Sequence, residues 1–254
     1  MNAPDNPGGI AALKDKSEFA NKVALVAGGT GALGREIALA FLSAGARVIV
    51  TYRQRDEFDA LVNDSSRAGQ VPPVGISADT TDVAVVADMA QKIAEQYATL
   101  DILVNAVGGY GGGKNIWEED LAAYQRMMAL NLQSGFALTH AVVPIMIRQS
   151  RGWVVNIASR AGYGHSAGAA LYAASKAAAL SFFESLAEEV KPYPINVNSV
   201  VPSILDTPAN RRAMPSANFA LWPKPQDIAG VVLFLCSSQA RLIHGAAIPV
   251  YGRT

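Results

Sequence analysis

Short runs of β-branched and aliphatic residues alternate along this chain with longer Ala-rich segments, and that alternation restricts the fold more than any other feature. The pattern predicts strands at 22–27, 47–51, 74–78, 100–105, 153–158, 195–200 and 246–250. It predicts helices at 31–44, 83–97, 121–148, 169–190 and 227–237. Pro144 predicts a kink or break within 121–148. Pro192 and Pro194 stop the segment before them. Strand–helix alternation implies βαβ units around a parallel sheet. The strands are continuous apolar runs, as expected where helices cover both faces. The expected fold is therefore α/β, a doubly wound sheet of seven parallel strands. A chain of 254 residues fits one such domain, and a 50% hydrophobic composition supplies its core.

Charge and cysteine usage narrow the function classes. The formal net charge is zero, which argues against nucleic acid and acidic membranes as partners. Cys236 is the single cysteine, so no intramolecular disulfide forms; a reducing compartment, the cytoplasm, is expected. Cys236 lies in an apolar run and reads as a core residue. Residues 1–20 contain Pro4, Pro7, Gly8 and Gly9 without an apolar run, which predicts a mobile tail and no signal peptide. Residues 21–254 form the expected catalytic domain. No stretch reads as long and apolar enough to span a bilayer. His140, His165 and His244 are scattered, and no spacing suggests a metal site.

The first strand runs into Ala27-Gly28-Gly29-Thr30-Gly31-Ala32-Leu33-Gly34, followed by a helix. Gly29, Gly31 and Gly34 fit the dinucleotide fingerprint: a tight turn, close approach of backbone to pyrophosphate, and close helix–strand packing. The helix N-terminus then offers free N–H groups to phosphate. The second strand ends at Tyr52 and Arg53, with Arg55 beyond and no acid within 51–55. An acid there would bond a ribose 2′-hydroxyl, whereas arginine suits a 2′-phosphate. NADP(H) is therefore favoured, with NAD(H) possible.

Ser159 ends the fifth apolar run, and Tyr172 follows 13 residues later. Lys176 stands four residues beyond Tyr172, on the same helical face. A phenol and an ammonium side by side, met by a hydroxyl at a strand end, can protonate a carbonyl oxygen.

Together these residues resemble the short-chain dehydrogenase/reductase family over about 22–250. The resemblance implies a Rossmann fold and interconversion of a ketone with a secondary alcohol. It implies that Tyr172 is the acid/base, Lys176 its partner, Ser159 the donor to the substrate oxygen, and Asn131 a structural residue that holds a relay water. Lys176 would lower the Tyr172 pKa. The resemblance extends to Asp79 and Thr80 near the adenine and to Asn105-Ala106 after the fourth strand. It also covers Pro202, Ser203, Ile204 and Thr207 beside the nicotinamide. The chain departs from the family pattern at Ala27, Ala32, Pro202-Ser203 and Tyr251-Gly252-Arg253. Glycines at 28, 31 and 34 match the longer, extended branch, but too few residues follow Lys176 for that branch's substrate domain. The reductase-type branch is preferred to a sugar-nucleotide epimerase or dehydratase. A silent NADP(H)-binding redox sensor is the alternative from another class. Family members are often tetramers, so a homo-oligomer packing through 121–148 and 169–190 is implied. Substrate identity is expected to lie in 108–115, 161–170 and 203–223, the last within a flap at about 202–225. Tyr110, Tyr163, His165, Trp117, Phe219, Leu221 and Trp222 are candidate pocket residues within or near these segments.

Overall fold

A computed structural model describes residues 18–254. The strands are β1 (Val23–Ala27), β2 (Arg47–Tyr52), β3 (Val74–Ser77), β4 (Ile102–Asn105), β5 (Gly152–Ile157), β6 (Ile195–Pro202) and β7 (Ala247–Val250). They form one parallel sheet in the order β3-β2-β1-β4-β5-β6-β7. The helices are α1 (Ala32–Ser43), α2 (Arg55–Arg67), α3 (Val83–Tyr97), α4 (Leu121–Met128), α5 (Ser134–Arg148), α6 (Ala170–Val190), α7 (Pro208–Ala213) and α8 (Pro225–Leu235).

Side-chain alternation divides β1 between two cores. Ala24 and Val26 face a core with Ile37 and Phe41 of α1 and Ile228 and Val232 of α8. Val23, Leu25 and Ala27 face the opposite core, with Ile93 of α3, Leu138 of α5 and Phe183 of α6. Both sheet faces are thus covered, which explains the unbroken apolar strands. Cys236 is fully buried in the first core, and burial pushes its thiol pKa far up. It is a packing residue.

Four expectations need correction. Helix α2 was absent from the pattern reading, yet Phe58, Leu61 and Ser65 recur at helical spacing and are buried. The break within 121–148 comes at a π-helical turn, Ala129–Gln133, and not at Pro144. Helix α5 continues through Pro144; the carbonyl its missing N–H would have bonded belongs to His140, an exposed residue that water can satisfy. The run Leu121–Arg148 is in fact long and apolar enough to span a membrane by length and composition, but 56% of its most apolar window is buried inside the protein. It is a core helix pair. Of the expected mobile tail, residues 1–17 lie outside the described residues, while Phe19 is buried edge-on against Phe41. The chain is therefore packed from at least that point.

Candidate active site

The chain builds β2 and β3 outward on one side of β1 and then returns to place β4 on the other, so the strand order reverses at the β1/β4 boundary and a crevice opens at the carboxyl ends of these strands. A cleft of about 1070 Å³ lies there. It shares Gly31, Ala106, Val107 and Gly108 with a smaller cavity of about 260 Å³ that extends toward β2. The β1–α1 turn forms their common wall. Gly28 has φ +73°, a conformation open to glycine. A methyl at Gly34 would overlap the Gly28 carbonyl, so glycine there lets α1 approach the turn. Gly31 caps α1 without a side chain, and no acid occupies the first turn. The free N–H groups of α1 therefore face the cleft, as a pyrophosphate requires.

The family pattern's missing Thr at Ala27 has a substitute that the sequence did not disclose. Thr51, buried at the end of β2, accepts a hydrogen bond from the Gly28 N–H at 2.8 Å. This hydroxyl braces the turn from the neighbouring strand. Ala32 and Leu33 line the larger cleft, so the methyl of Ala32 is accommodated at its wall.

At the other end of the cleft, β5 delivers Ser159 in extended conformation. Its Oγ accepts from the Ala161 N–H at 3.2 Å, which leaves the hydroxyl proton free to donate. Helix α6 presents Tyr172 and, one turn on, Lys176. All three residues line the cleft. The expected lowering of the Tyr172 pKa is not what the geometry produces. Burial raises it, the nearby Ser159 hydroxyl opposes that, and Lys176 is not among its perturbing groups. Lys176 is itself buried, and burial lowers its pKa to about 8. Its Nζ donates to the Ile157 carbonyl at 3.3 Å, and it has no carboxylate partner among the described residues.

Asn131 sits in the π-helical turn and is buried. Its amide Oδ1 accepts from Gly109 N–H at 3.0 Å, and Nδ2 donates to Gly109 O and Ser175 Oγ, each at 3.1 Å. That side chain clamps the loop after β4. π-Turns commonly mark such specialised positions.

The remaining sequence-predicted residues divide. Gly28, Thr30, Tyr52, Arg53 and Thr80 line the smaller cavity, and Pro202, Ser203 and Ile204 line the larger. Gly29 lies on neither wall; it packs against Val50. Asn105 is buried and bonded to Asn156 at 3.1 Å. One oxygen of the Asp79 carboxylate, Oδ1, accepts from the Thr81 backbone N–H and hydroxyl, and these bonds hold its pKa below the usual carboxylate value. Thr207 caps α7 through the Asn210 N–H at 3.2 Å, and Asn210 lines the cleft in its place. Phe219 and Trp222 pack on each other, and the cleft takes Leu205, Ala213 and Met214 instead. Trp117 is exposed outside it, whereas His165 lines it.

Pattern reading also missed Glu57. It stands in the first turn of α2, lines the smaller cavity with Arg53, and accepts from the Thr30 hydroxyl at 2.9 Å. The signal was present: Asp56 and Glu57 precede the apolar Phe58 and Leu61, a helix-start pattern. Arg55, the second arginine considered for phosphate, pairs with Asp59 at 2.8 Å.

The family model described as short chain dehydrogenase matches residues 22–218. The chain belongs to the short-chain dehydrogenase family. It is 30% identical over 242 residues to a protein named 3-oxoacyl-acyl-carrier-protein reductase of Thermotoga maritima, covering 91% of this chain and 96% of that protein. It is 29% identical over 248 residues to 7alpha-hydroxysteroid dehydrogenase of Bacteroides fragilis, covering 93% and 95%. A solved short-chain dehydrogenase/reductase from Burkholderia xenovorans superposes with a TM-score of 0.86 at 33% identity, covering 92% and 96%. This short-chain dehydrogenase thus matches its relatives over nearly their full lengths. The family's chemistry is carbonyl–alcohol oxidoreduction with a nicotinamide cofactor, for which the open α1 N-terminus and glycine turn are a fitting cradle.

Proposed function

We propose that this enzyme reduces a ketone to a secondary alcohol, with NADP(H) preferred. One observation carries the reading: Ser159, Tyr172 and Lys176 line the same cleft as the uncapped N-terminus of α1. A nicotinamide cofactor, when bound, supplies the hydride. Gly28, Thr30, Gly31, Ala32, Leu33 and Gly34 would hold its phosphates, and Ala106 would flank it. The chain's own groups manage the proton. Burial keeps the Tyr172 phenol protonated at neutral pH, ready to donate to the substrate oxygen. Ser159 directs its free hydroxyl proton to the same oxygen as negative charge grows there. Lys176, with a pKa of about 8, is mainly cationic at neutral pH and sits one turn from the phenolate that proton transfer leaves. Asn131 acts as a positioning residue: its clamp on Gly109 holds the adjoining Gly108 beside Lys176.

The preference for NADP(H) rests on Arg53 at the smaller cavity, whose charge also helps lower the Asp79 pKa. Glu57 on the same wall works against a 2′-phosphate and leaves room for NAD(H). The named activities of the relatives support a 3-oxoacyl thioester or a cyclic ketone as the substrate class. A cytoplasmic location fits the buried, unpaired Cys236. A homo-oligomer is supported by Leu121, Tyr124 and Phe136, large apolar residues exposed on α4 and α5.

The test is oxidation of NADPH, with NADH in parallel, against β-keto thioesters, cyclic ketones, diketones and ketosteroids. Turnover that disappears in Tyr172→Phe is expected. Turnover that survives that substitution would refute the assignment of the proton donor.

A further inference from the structure

We infer that Tyr110, carried on a glycine strap across the mouth of the cleft, is a positioning residue for the Tyr172 ring. The inference rests on the reductase reading. The strap is residues 108–113, a motif whose chemistry the hydride-transfer site does not explain. It is pinned at both ends. Asn131 holds Gly109 with two hydrogen bonds, and the Gly113 N–H donates to the Gly168 carbonyl at 2.8 Å, two residues before α6 begins.

The glycines permit this path. A methyl on Gly108 would come within 2.9 Å of both Asn131 Oδ1 and Lys176 Nζ. A methyl on Gly112 would come within 2.5 Å of the Tyr110 hydroxyl and 2.7 Å of the Gly168 carbonyl. Between these two points Tyr110 turns its ring onto Tyr172, with centroids 5.1 Å apart and planes at 71°. This is the edge-to-face geometry that aromatic quadrupoles favour. Although Tyr110 is 71% exposed, it lines the cleft, so its ring is held there by the strap and not by burial. The groups facing Tyr172 are then Ser159 from the end of β5, Lys176 from its own helix and Tyr110 from the strap, with His165 on the same cleft wall. Loss of the Tyr110 ring frees the phenol to tilt and admits water to it.

Tyr110→Ala should lower kcat by roughly 10-fold, the scale of a misplaced reacting group, and leave the cofactor Kd unchanged. Tyr110→Phe keeps the ring and should recover most of that loss. Gly112→Ala displaces Tyr110 without removing it and should act in the same direction as Tyr110→Ala. A second readout needs no substrate: NMR titration of ring-carbon-labelled tyrosine, with Tyr172 assigned by its absence in Tyr172→Phe. In Tyr110→Ala the Tyr172 titration should move down toward an ordinary phenol, and in Tyr110→Phe it should stay near wild type. An unchanged titration in Tyr110→Ala would overturn the inference, as would equal damage in Tyr110→Phe. If wild type reduces no ketone, the reductase reading fails and the NMR comparison alone decides the role of Tyr110.

Discussion

Replacing Lys176 by Met should uncouple stability from pH in a predictable window. The Lys176 pKa falls from 10.5 to about 8 on folding because the ammonium is buried without a carboxylate partner. Between those values the unfolded chain binds a proton that the native site releases, so stability rises with pH across that window. Below about 8 both states are protonated and the native state bears the full cost, about 3 kcal/mol. Raising the pH from about 7 to about 9.5 recovers about 2 kcal/mol of it. The Tyr172 phenol, with its pKa raised, contributes stability that is present below the ordinary phenol value and lost above it, so the comparison stops short of that range. Methionine fills a similar volume without charge, and it forgoes one bond to the Ile157 carbonyl. Urea unfolding of the cofactor-free protein is the assay, with wild type and Lys176→Met at equal concentration across the pH series. The variant should be the more stable near neutrality, with an advantage that shrinks by about 2 kcal/mol toward alkaline pH. A difference that does not change with pH would mean that Lys176 titrates as a solvated lysine, and the burial argument would fail.

Other consequences follow from named contacts. Tyr172→Phe should cut turnover by roughly 10²- to 10⁴-fold and leave cofactor binding, read by protein fluorescence, intact. Glu57→Gln removes the carboxylate opposing a 2′-phosphate and should raise the kcat/KM ratio of NADPH to NADH by roughly 10-fold, whereas Arg53→Ala should lower it. Thr51→Val withdraws the brace on Gly28 and should cost about 1 kcal/mol in denaturant unfolding, since a partly buried N–H loses its protein partner. Gly34→Ala forces α1 away from the turn and should abolish cofactor binding by calorimetry, even in protein that remains folded.

Much of the site was legible because its signals are local. Tyr172 and Lys176 share a helical face by spacing alone, and a strand running into a glycine turn announces where α1 begins. Ser159 was recognisable at the end of an apolar run, yet its free proton depends on a bond from Ala161. Glu57 was passed over because α2 was not recognised, its single buried stripe being diluted by seven charged or amide residues. Trp222 and Phe219 looked suited to a pocket wall, but they pack against each other.

The sequence by itself determined the alternation of strands and helices, the glycine turn and the helical pairing of phenol and ammonium. These are set within a few residues by backbone sterics and side-chain period. Tertiary structure alone decided that Thr51 braces Gly28, that Glu57 takes the Thr30 hydroxyl, and that Gly113 ties to Gly168. Each of these joins residues distant in the chain. They meet because parallel strands require long crossovers, and the resulting order sets β1 between β2 and β4. No local pattern records which loops such crossovers bring to one edge of the sheet.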